Sequence, residues 1–403
     1  MTVVEPLFSK SSMAEEPSVN RKHWLLRRPT WSDWGNPEWL LANRLPTLDG
    51  ARGLAALLVF GRHFCTLTIP WTPDHGAVHH LFGLLDRGAL GVDLLFLLSG
   101  YLIYGSLIEN PQSFDRYLGR RLRRIYPTFI TVFLVYLVLM WVFPERSKIP
   151  QPFWPTGAWY LLANLALLPG VIPIPPVMVV AWSLSYEWVS YLAWPVFIET
   201  LRLHSWQRLG RILLLAVATA AFLQWGASQP EQPLIKFSLL LAGGLLWEVS
   251  QSPMAPRLPG WGLIALLAVA PLSHWLLMTW EVRVVQRWIL LCLFLLLYDL
   301  VKTPASLTGR LLSNRWLRHF GLVSYSFYLI HSLVLHAIFL VWNRWGGTDG
   351  SMFSLTSYVA LMVGACLASL MAAQVLFSLV ERPFSFPRRE GATAPRENST
   401  AVS

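Results

Sequence analysis

Residues 51–67 read ARGLAALLVFGRHFCTL, a run that is apolar except for Arg52, Arg62, His63 and one threonine. As a helix this run is about 25 Å long at 1.5 Å per residue, close to the roughly 30 Å hydrocarbon thickness of a bilayer. The sequence therefore predicts an all-α fold, a polytopic membrane helix bundle with about ten transmembrane helices. The nine further apolar runs lie at residues 89–107, 124–143, 182–199, 212–228, 234–249, 261–280, 287–301, 320–342 and 355–380.

The composition of the chain agrees with a membrane protein. Hydrophobic residues make up 54% of the 403 residues and charged residues only 13%. A soluble domain usually carries about 25% charged residues, and a disordered chain combines low hydrophobicity with high net charge. Both classes are therefore excluded. The net charge of +10 is interpreted as loop charge that sets topology, so no nucleic acid partner is expected.

The distribution of positive charge predicts how the spans are oriented. Cytoplasmic loops are enriched in Lys and Arg. Ten spans with both termini cytoplasmic place 24 of the 32 Lys and Arg residues on the inner side. An eleventh span at residues 159–168 would remove most of this bias, so residues 144–181 are predicted to form a long outer loop with an interfacial or re-entrant apolar piece. The compact loops favour the bacterial cytoplasmic membrane.

Composition also divides the chain into three parts. Residues 1–44 are polar but rich in Trp and are predicted to form a cytoplasmic arm along the inner leaflet. Residues 45–385 form the membrane domain, and residues 386–403 are predicted to be a disordered cytoplasmic tail. The three cysteines lie singly inside apolar runs and predict neither a disulfide framework nor a metal site: Cys65, Cys292 and Cys366.

Ionisable side chains inside the predicted spans are candidates for function, because each costs roughly 2.5–3.5 kcal/mol to insert. Arg52 and His63 are 11 residues apart, which returns to nearly the same helix face about 16 Å further along the axis. His331 is predicted at the depth of His63, with Asp93 and Glu187 within one or two helical turns. We therefore expect these acids and imidazoles to gather in the outer half of the bilayer. The alternative is a structural His63 bonded to a neighbouring helix.

Residues 120–124, RRLRR, predict a cluster of cations at the inner surface. Such runs commonly orient helices and bind anionic lipid. A second interpretation rests on Arg121 and Arg124, whose spacing of three places them on one helix face. With Arg52 nearby, this pair is suited to bidentate binding of the phosphates of a cytoplasmic donor.

Six motifs in order resemble those of the acyltransferase-3 family of membrane-bound O-acyltransferases, and together they cover about residues 45–385. The motifs are LDGARGLAALLV at 48–59 with His63, GVDLLFLLSGYLI at 91–103, RRLRRIYP at 120–127, WSLSYE at 182–187, GLVSYSFYLIH at 321–331 and VERP at 380–383.

The resemblance implies transfer of an acyl group, commonly acetyl from acyl-CoA, to a hydroxyl on the far side of the membrane. The implied acceptors are cell-surface polysaccharides, lipid-linked sugars or secreted small molecules. The family's functional residues map onto Arg52, His63, Arg121 and Arg124. Two departures from the family pattern, at Gly61-Arg62 and at residues 94–96, are expected to affect acceptor specificity.

This mechanism assigns further roles to polar residues of the spans. Neutral His63 would deprotonate the acceptor hydroxyl, and Asp93 or Glu187 would orient the imidazole or bind the acceptor. Ser324, Tyr325 or an arginine would stabilise the oxyanion.

Ser99 is either a covalent acyl carrier or, with Gly100, part of a tight helix contact. Two other functional classes remain open at this point. One is a transporter or exporter of an acylated carbohydrate or lipid, and the other is a non-catalytic membrane scaffold.

Overall fold

A computed structural model describes residues 45–226, 233–279, 282–345 and 353–385. These residues are 83% helical and contain no β-strand, so the predicted all-α fold is confirmed for them. The proposed Trp-rich arm and the proposed tail lie outside the described residues.

The helices are numbered here in chain order. They are α1 Pro46–Thr68, α2 Gly76–Asp86, α3 Leu90–Glu109, α4 Phe114–Val142, α5 Ala158–Leu165, α6 Ala181–Thr200, α7 Arg208–Gly226, α8 Pro233–Ser250, α9 Trp261–Thr279, α10 Val282–Lys302, α11 Leu307–Leu312, α12 Arg315–Trp345, α13 Leu355–Leu376 and α14 Arg382–Ser385. A π-helical turn, Phe377–Glu381, joins the last two.

In the described part of the chain, each of the ten predicted apolar runs overlaps one of these helices. Within the described residues, seven helical segments are long and apolar enough to cross a membrane. The three predicted spans outside this set are α6, α8 and α9, which have 20, 18 and 19 residues. The count of ten and the cytoplasmic side of both termini stay predictions. Helix α5 has eight residues, about 12 Å, which is too short to cross.

Helices α1 and α12 are joined by close backbone contact through glycines. A Cβ on Gly53 would fall on the carbonyl oxygen of Leu317, and a Cβ on Gly321 would fall on that of Asp49. Small residues of this kind let two helix backbones approach until their atoms are in van der Waals contact. Because both helices start near this contact, residues equally far beyond it lie at equal depth.

Two buried carboxylates join other helices. Glu248 on α8 is fully buried and accepts a 2.6 Å hydrogen bond from the hydroxyl of Tyr104 on α3. It also pairs with Arg211 on α7. Asp299 on α10 accepts a 3.2 Å hydrogen bond from the backbone N–H of Gly262 on α9. Buried charges are stable only when paired or hydrogen-bonded in this way.

The segment between α4 and α6 folds back on itself. The side-chain amide of Asn164 on α5 donates to the Tyr160 and Pro175 carbonyls at 3.0 and 3.3 Å, and its oxygen accepts from the Val177 N–H at 2.7 Å. The Tyr186 hydroxyl of α6 donates to the Gly170 carbonyl at 2.6 Å. These bonds satisfy backbone groups that an irregular loop would otherwise bury unpaired.

The glycine contact predicts an effect on stability. Gly321→Ala should lower the thermal unfolding temperature of the detergent-solubilised protein, because the new methyl group meets a helix backbone that cannot rotate away. Overpacking of this kind costs about 1–3 kcal/mol. Gly364→Ala on α13 is the matched control, since a Cβ there meets nothing within 4 Å. Equal unfolding temperatures for the two variants would contradict the close α1–α12 contact.

Candidate active site

His63 on α1 and His331 on α12 form an imidazole pair, with ring centroids 5.1 Å apart. The equal depth predicted for them is therefore confirmed. His331 is fully buried, and its Nδ1 lies 3.0 Å from the carbonyl oxygen of Phe327. Because a carbonyl only accepts, Nδ1 carries the proton and Nε2 is left as an acceptor. Nε2 has no hydrogen-bond partner among the described residues.

The imidazole pair has aromatic neighbours and lies near an ion pair. The ring of Phe327 stacks on that of His331 at 5.7 Å, and Phe60 lies 6.3 Å away. Arg62, which precedes His63 in the chain, forms an ion pair with Asp86 at the end of α2, and both side chains are about 40% exposed. Helix α2 was not predicted as a separate element, and it places this ion pair beside His63.

The arginines of residues 120–124 divide between two environments. Arg120 and Arg123 are exposed, whereas Arg121 and Arg124 are half-buried. The Arg121 guanidinium carbon lies 5.3 Å from the centroid of the Tyr117 ring and 5.1 Å from that of Tyr191. Cation–π contacts of this kind contribute about 0.5–2 kcal/mol.

Arg124 lies among polar groups of other helices. Arg124 interacts electrostatically with Tyr191, Glu187, Glu381 and Tyr325, which belong to three different segments. Since α4 begins at Phe114, Arg124 lies about 15 Å along that helix. Arg121 and Arg124 therefore face the other helices of the bundle, and their position at the inner surface stays a prediction.

Glu187 lies with this pair rather than with the histidines. Its carboxylate accepts a hydrogen bond from the Ser99 hydroxyl at 3.1 Å and another from the Tyr191 hydroxyl. In the described residues no contact joins Glu187 to His63, and its predicted depth within one or two helical turns of His63 stays a prediction. Charge compensation accounts for its place near Arg124, because an interior arginine is stable only beside an acid.

Asp93 also has a different partner from the one expected. It forms a 2.6 Å ion pair with Lys236 on α8, and the two side chains are 14% and 21% exposed. In the described part of the chain no contact joins Asp93 to His63. Ser99, six residues further along α3, uses its hydroxyl on Glu187, while Gly100 packs against the Leu240 backbone.

The remaining predicted residues occupy α1 and α12. The Ser324 hydroxyl donates to the Gly321 carbonyl at 2.9 Å, and the Tyr325 hydroxyl donates to the Ile125 carbonyl at 2.8 Å. Both proposed oxyanion donors therefore already have backbone acceptors. Arg52 is half-buried and lies about 16 Å along α1 from His63.

Three residues of the site were missed by the sequence analysis. Tyr117 and Tyr191 hold Arg121, and Glu381 accepts hydrogen bonds from Ser326 at 2.6 and 3.1 Å. Tyr117 precedes Arg121 by four residues and Tyr191 follows Glu187 by four, so each tyrosine lies on the same helix face as that charged residue. This spacing is the sequence signal for the two tyrosines. Glu381 lies within the quoted VERP motif but was not assigned a role.

A polar stripe on α4 connects these features. Tyr117, Arg121, Arg124 and Thr128 fall within a narrow arc at 100° per residue. Across it, α6 presents Tyr191 to Arg121 and Glu187 to Arg124. The stripe and the facing side of α6 are called the α4–α6 seam below. This arrangement provides anion-binding groups that lie closer to the predicted cytoplasmic side than the imidazole pair does.

The seam predicts a stability effect at Glu187. Glu187→Ala should lower the free energy of unfolding by about 1–3 kcal/mol, the cost of losing hydrogen bonds to a charged, partly buried group. Thermal unfolding of the solubilised protein measures this. Glu109→Ala, at the exposed last residue of α3, removes an acid outside the seam and should have little effect. An unchanged unfolding temperature in Glu187→Ala would refute the assigned pairing.

Comparison with known proteins is consistent with this geometry. A family model described as an acyltransferase domain matches residues 45–374. The chain is 26% identical over 323 residues to the peptidoglycan O-acetyltransferase OatA of Listeria monocytogenes, covering 71% of this chain and 49% of that protein. It is 29% identical over 165 residues to acyltransferase MdmB of Streptomyces mycarofaciens, 40% of each chain.

A third relative is O-acetyltransferase OatA of Staphylococcus aureus, with 31% identity over 169 residues that cover 39% of this chain and 25% of the relative. The chain thus spans half or less of the length of these relatives. No solved structure matches it. Because the family model extends over most of the chain, including every residue of the imidazole pair and the arginine pair, the protein belongs to the acyltransferase-3 family.

Proposed function

We propose that this protein is a membrane-bound O-acyltransferase that moves an acetyl group from acetyl-CoA on the cytoplasmic side to a hydroxyl of an extracytoplasmic carbohydrate. The observation that carries the proposal is the combination of an interior arginine pair with an imidazole pair further along the same bundle. The naming of two relatives as O-acetyltransferases, one of them for peptidoglycan, supports a cell-surface polysaccharide as the acceptor.

The donor is held through its phosphates. Arg121 and Arg124 carry permanent charges in a partly desolvated seam, where planar guanidinium groups bind phosphate oxygens in bidentate fashion. Before a ligand arrives, Tyr191 lies against the Arg121 guanidinium and Glu187 attracts Arg124 electrostatically. Preorganised arginines lose little side-chain entropy when they bind. Arg52 on α1 contributes a further cation at the inner end of the bundle.

Acyl transfer takes place at His63. The acceptor oxygen attacks the thioester carbonyl while the neutral imidazole removes the hydroxyl proton, and collapse of the intermediate breaks the C–S bond. The protonated imidazole then returns the proton to the departing thiolate, so that the products are an ester and a thiol. The bare Nε2 of His331, which is fully buried beside His63, has no partner in the described structure, and in this proposal the His63 ring turns to donate to it when the substrates bind, which fixes the orientation of the base.

Two groups complete the reaction site. Because the Ser324 and Tyr325 hydroxyls are used on backbone carbonyls, an arginine is the better candidate for oxyanion stabilisation. The half-exposed Arg62–Asp86 ion pair supplies donors and acceptors of the kind that bind sugar hydroxyls. Its position next to His63 makes it the acceptor-binding element of this proposal.

His63→Ala and Arg124→Ala test this function. Loss of a general base lowers a rate by roughly 10²–10⁴-fold, so His63→Ala should reduce kcat with the KM for acetyl-CoA nearly unchanged. Arg124→Ala should raise that KM. The measurement follows labelled acetyl transfer from acetyl-CoA to soluble peptidoglycan fragments by purified protein in lipid nanodiscs.

Arg123→Ala is the matched control, because Arg123 lies beside Arg124 in sequence but is exposed. It should behave as the wild-type protein. Full activity in His63→Ala or in Arg124→Ala would contradict the assigned roles. Movement of an acylated carbohydrate without turnover of acetyl-CoA would instead identify the protein as a transporter.

A further inference from the structure

A groove of about 530 Å³ lies on the outside of α4, where this helix packs against the π-helical turn and α14. Six of its lining residues come from α4, and two, Val380 and Phe384, come from the chain that follows α13. Ile130 and Phe384 are 37% and 52% exposed, so the groove opens away from the bundle. Its volume lies in the range of ligand sites, about 300–1,000 Å³, and no residue assigned to acyl transfer lines it.

The lining is mainly apolar and contains one charge. Of the lining residues only Arg123 is ionised. The Thr131 hydroxyl is used within α4, where it donates to the Pro127 carbonyl at 2.8 Å. Glu381 lies in the π-helical turn but faces inward and accepts from the Ser326 hydroxyl at 2.6 Å. In the described part of the chain no hydrogen bond or ion pair engages the Arg123 guanidinium. The groove therefore offers an available cation near one end and an apolar surface along the rest.

The groove is part of a longer exposed stripe along α4. Three arginines begin the stripe and large apolar residues continue it: Arg116, Arg120 and Arg123 are followed by Ile130, Val138 and Trp141. At 100° per residue these positions fall within an arc of about 80°. The outward face of α4 is thus cationic over its first turns and apolar beyond them.

The apolar part of this stripe has the length of the hydrocarbon layer of a bilayer. Arg123 and Trp141 are 18 positions apart, about 27 Å along a helix, and the hydrocarbon layer is roughly 30 Å thick. Trp141 is 82% exposed, and tryptophan favours the membrane–water interface. Helix α4 is long and apolar enough to cross a membrane. In a bilayer Arg123 would then lie at the depth of lipid phosphates, and the rest of the groove at the depth of acyl chains.

We infer that this groove binds an anionic phospholipid, with the headgroup phosphate on Arg123 and an acyl chain between α4 and α14. Charge complementarity selects this occupant, because a guanidinium binds phosphate oxygens in bidentate fashion and exposed cations attract anionic headgroups. A zwitterionic lipid offers the same chains without the net charge. The site lies outside the α4–α6 seam and is independent of the proposed acetyl transfer, so Arg123→Ala stays a control for that reaction.

Photo-crosslinking from within the groove identifies the occupant. The variant Ile130→p-benzoylphenylalanine of the full chain is placed in nanodiscs of phosphatidylcholine with a minor share of phosphatidylglycerol, and mass spectrometry measures the crosslinked lipids. Phosphatidylglycerol should be enriched about fivefold over its share, the effect of one cation close to a membrane surface. The matched control is Val138→p-benzoylphenylalanine, on the same stripe but outside the groove lining and 59% exposed. It should crosslink the two lipids in proportion to their shares.

Removal of the charge tests the role of Arg123. Added to the position-130 variant, Arg123→Gln should abolish the enrichment, a loss of about fivefold in phosphatidylglycerol yield. The matched control is Arg257→Gln, which removes an exposed cation from the loop between α8 and α9, outside the groove. It should keep the enrichment. An unchanged phosphatidylcholine yield in both variants shows that the groove itself is intact.

Equal lipid ratios at positions 130 and 138 would overturn the inference, and so would an enrichment that survives Arg123→Gln. Crosslinks mainly to residues 386–403 would assign the groove to the C-terminal segment of this chain. Crosslinks mainly to a second copy would make it a protein interface. Either result would also overturn the inference.

Discussion

The backbone contact between α1 and α12 is the constraint on which the candidate site depends. Gly53 and Gly321 let the two helices approach until only hydrogen atoms fit between them and the opposite carbonyls. That contact fixes the relative depth of the two helices near their starts. Ten residues further along each helix, His63 and His331 then face each other with ring centroids 5.1 Å apart. A displacement by one helical turn, about 5.4 Å, would separate the rings.

The second constraint is compensation of charge inside an apolar bundle. Arg124 shares its surroundings with Glu187 and Glu381, and Asp93 pairs with Lys236. An isolated interior charge is expensive, so each one comes with a partner from another helix. The arginines of the seam are therefore held in place before a donor arrives. An incoming phosphate adds negative charge to a cluster that already contains two acids, and this makes binding sensitive to the exact placement of Arg121.

Local sequence patterns predicted the helices well but predicted the partners of the charged residues poorly. The equal depth of His63 and His331 followed from counting residues in two parallel spans, because helix rise is constant. The partners of Arg124 did not follow, since the positive-inside rule assigns cations to one side of the membrane and ignores acids on other helices. The contact of Arg121 with Tyr191 joins residues 70 positions apart. Such pairings arise from tertiary packing, for which one sequence contains no periodic signal.

In the proposed function, one helix bundle connects a cytoplasmic donor with an extracytoplasmic acceptor. The most direct measurement uses sealed proteoliposomes of uniform orientation, with labelled acetyl-CoA on the side of α4's first residue and peptidoglycan fragments on the other. The account predicts acetylated fragments in the acceptor compartment, with acetyl-CoA confined to its own side and no product from His63→Ala. Product formed only when donor and acceptor share one compartment would contradict it.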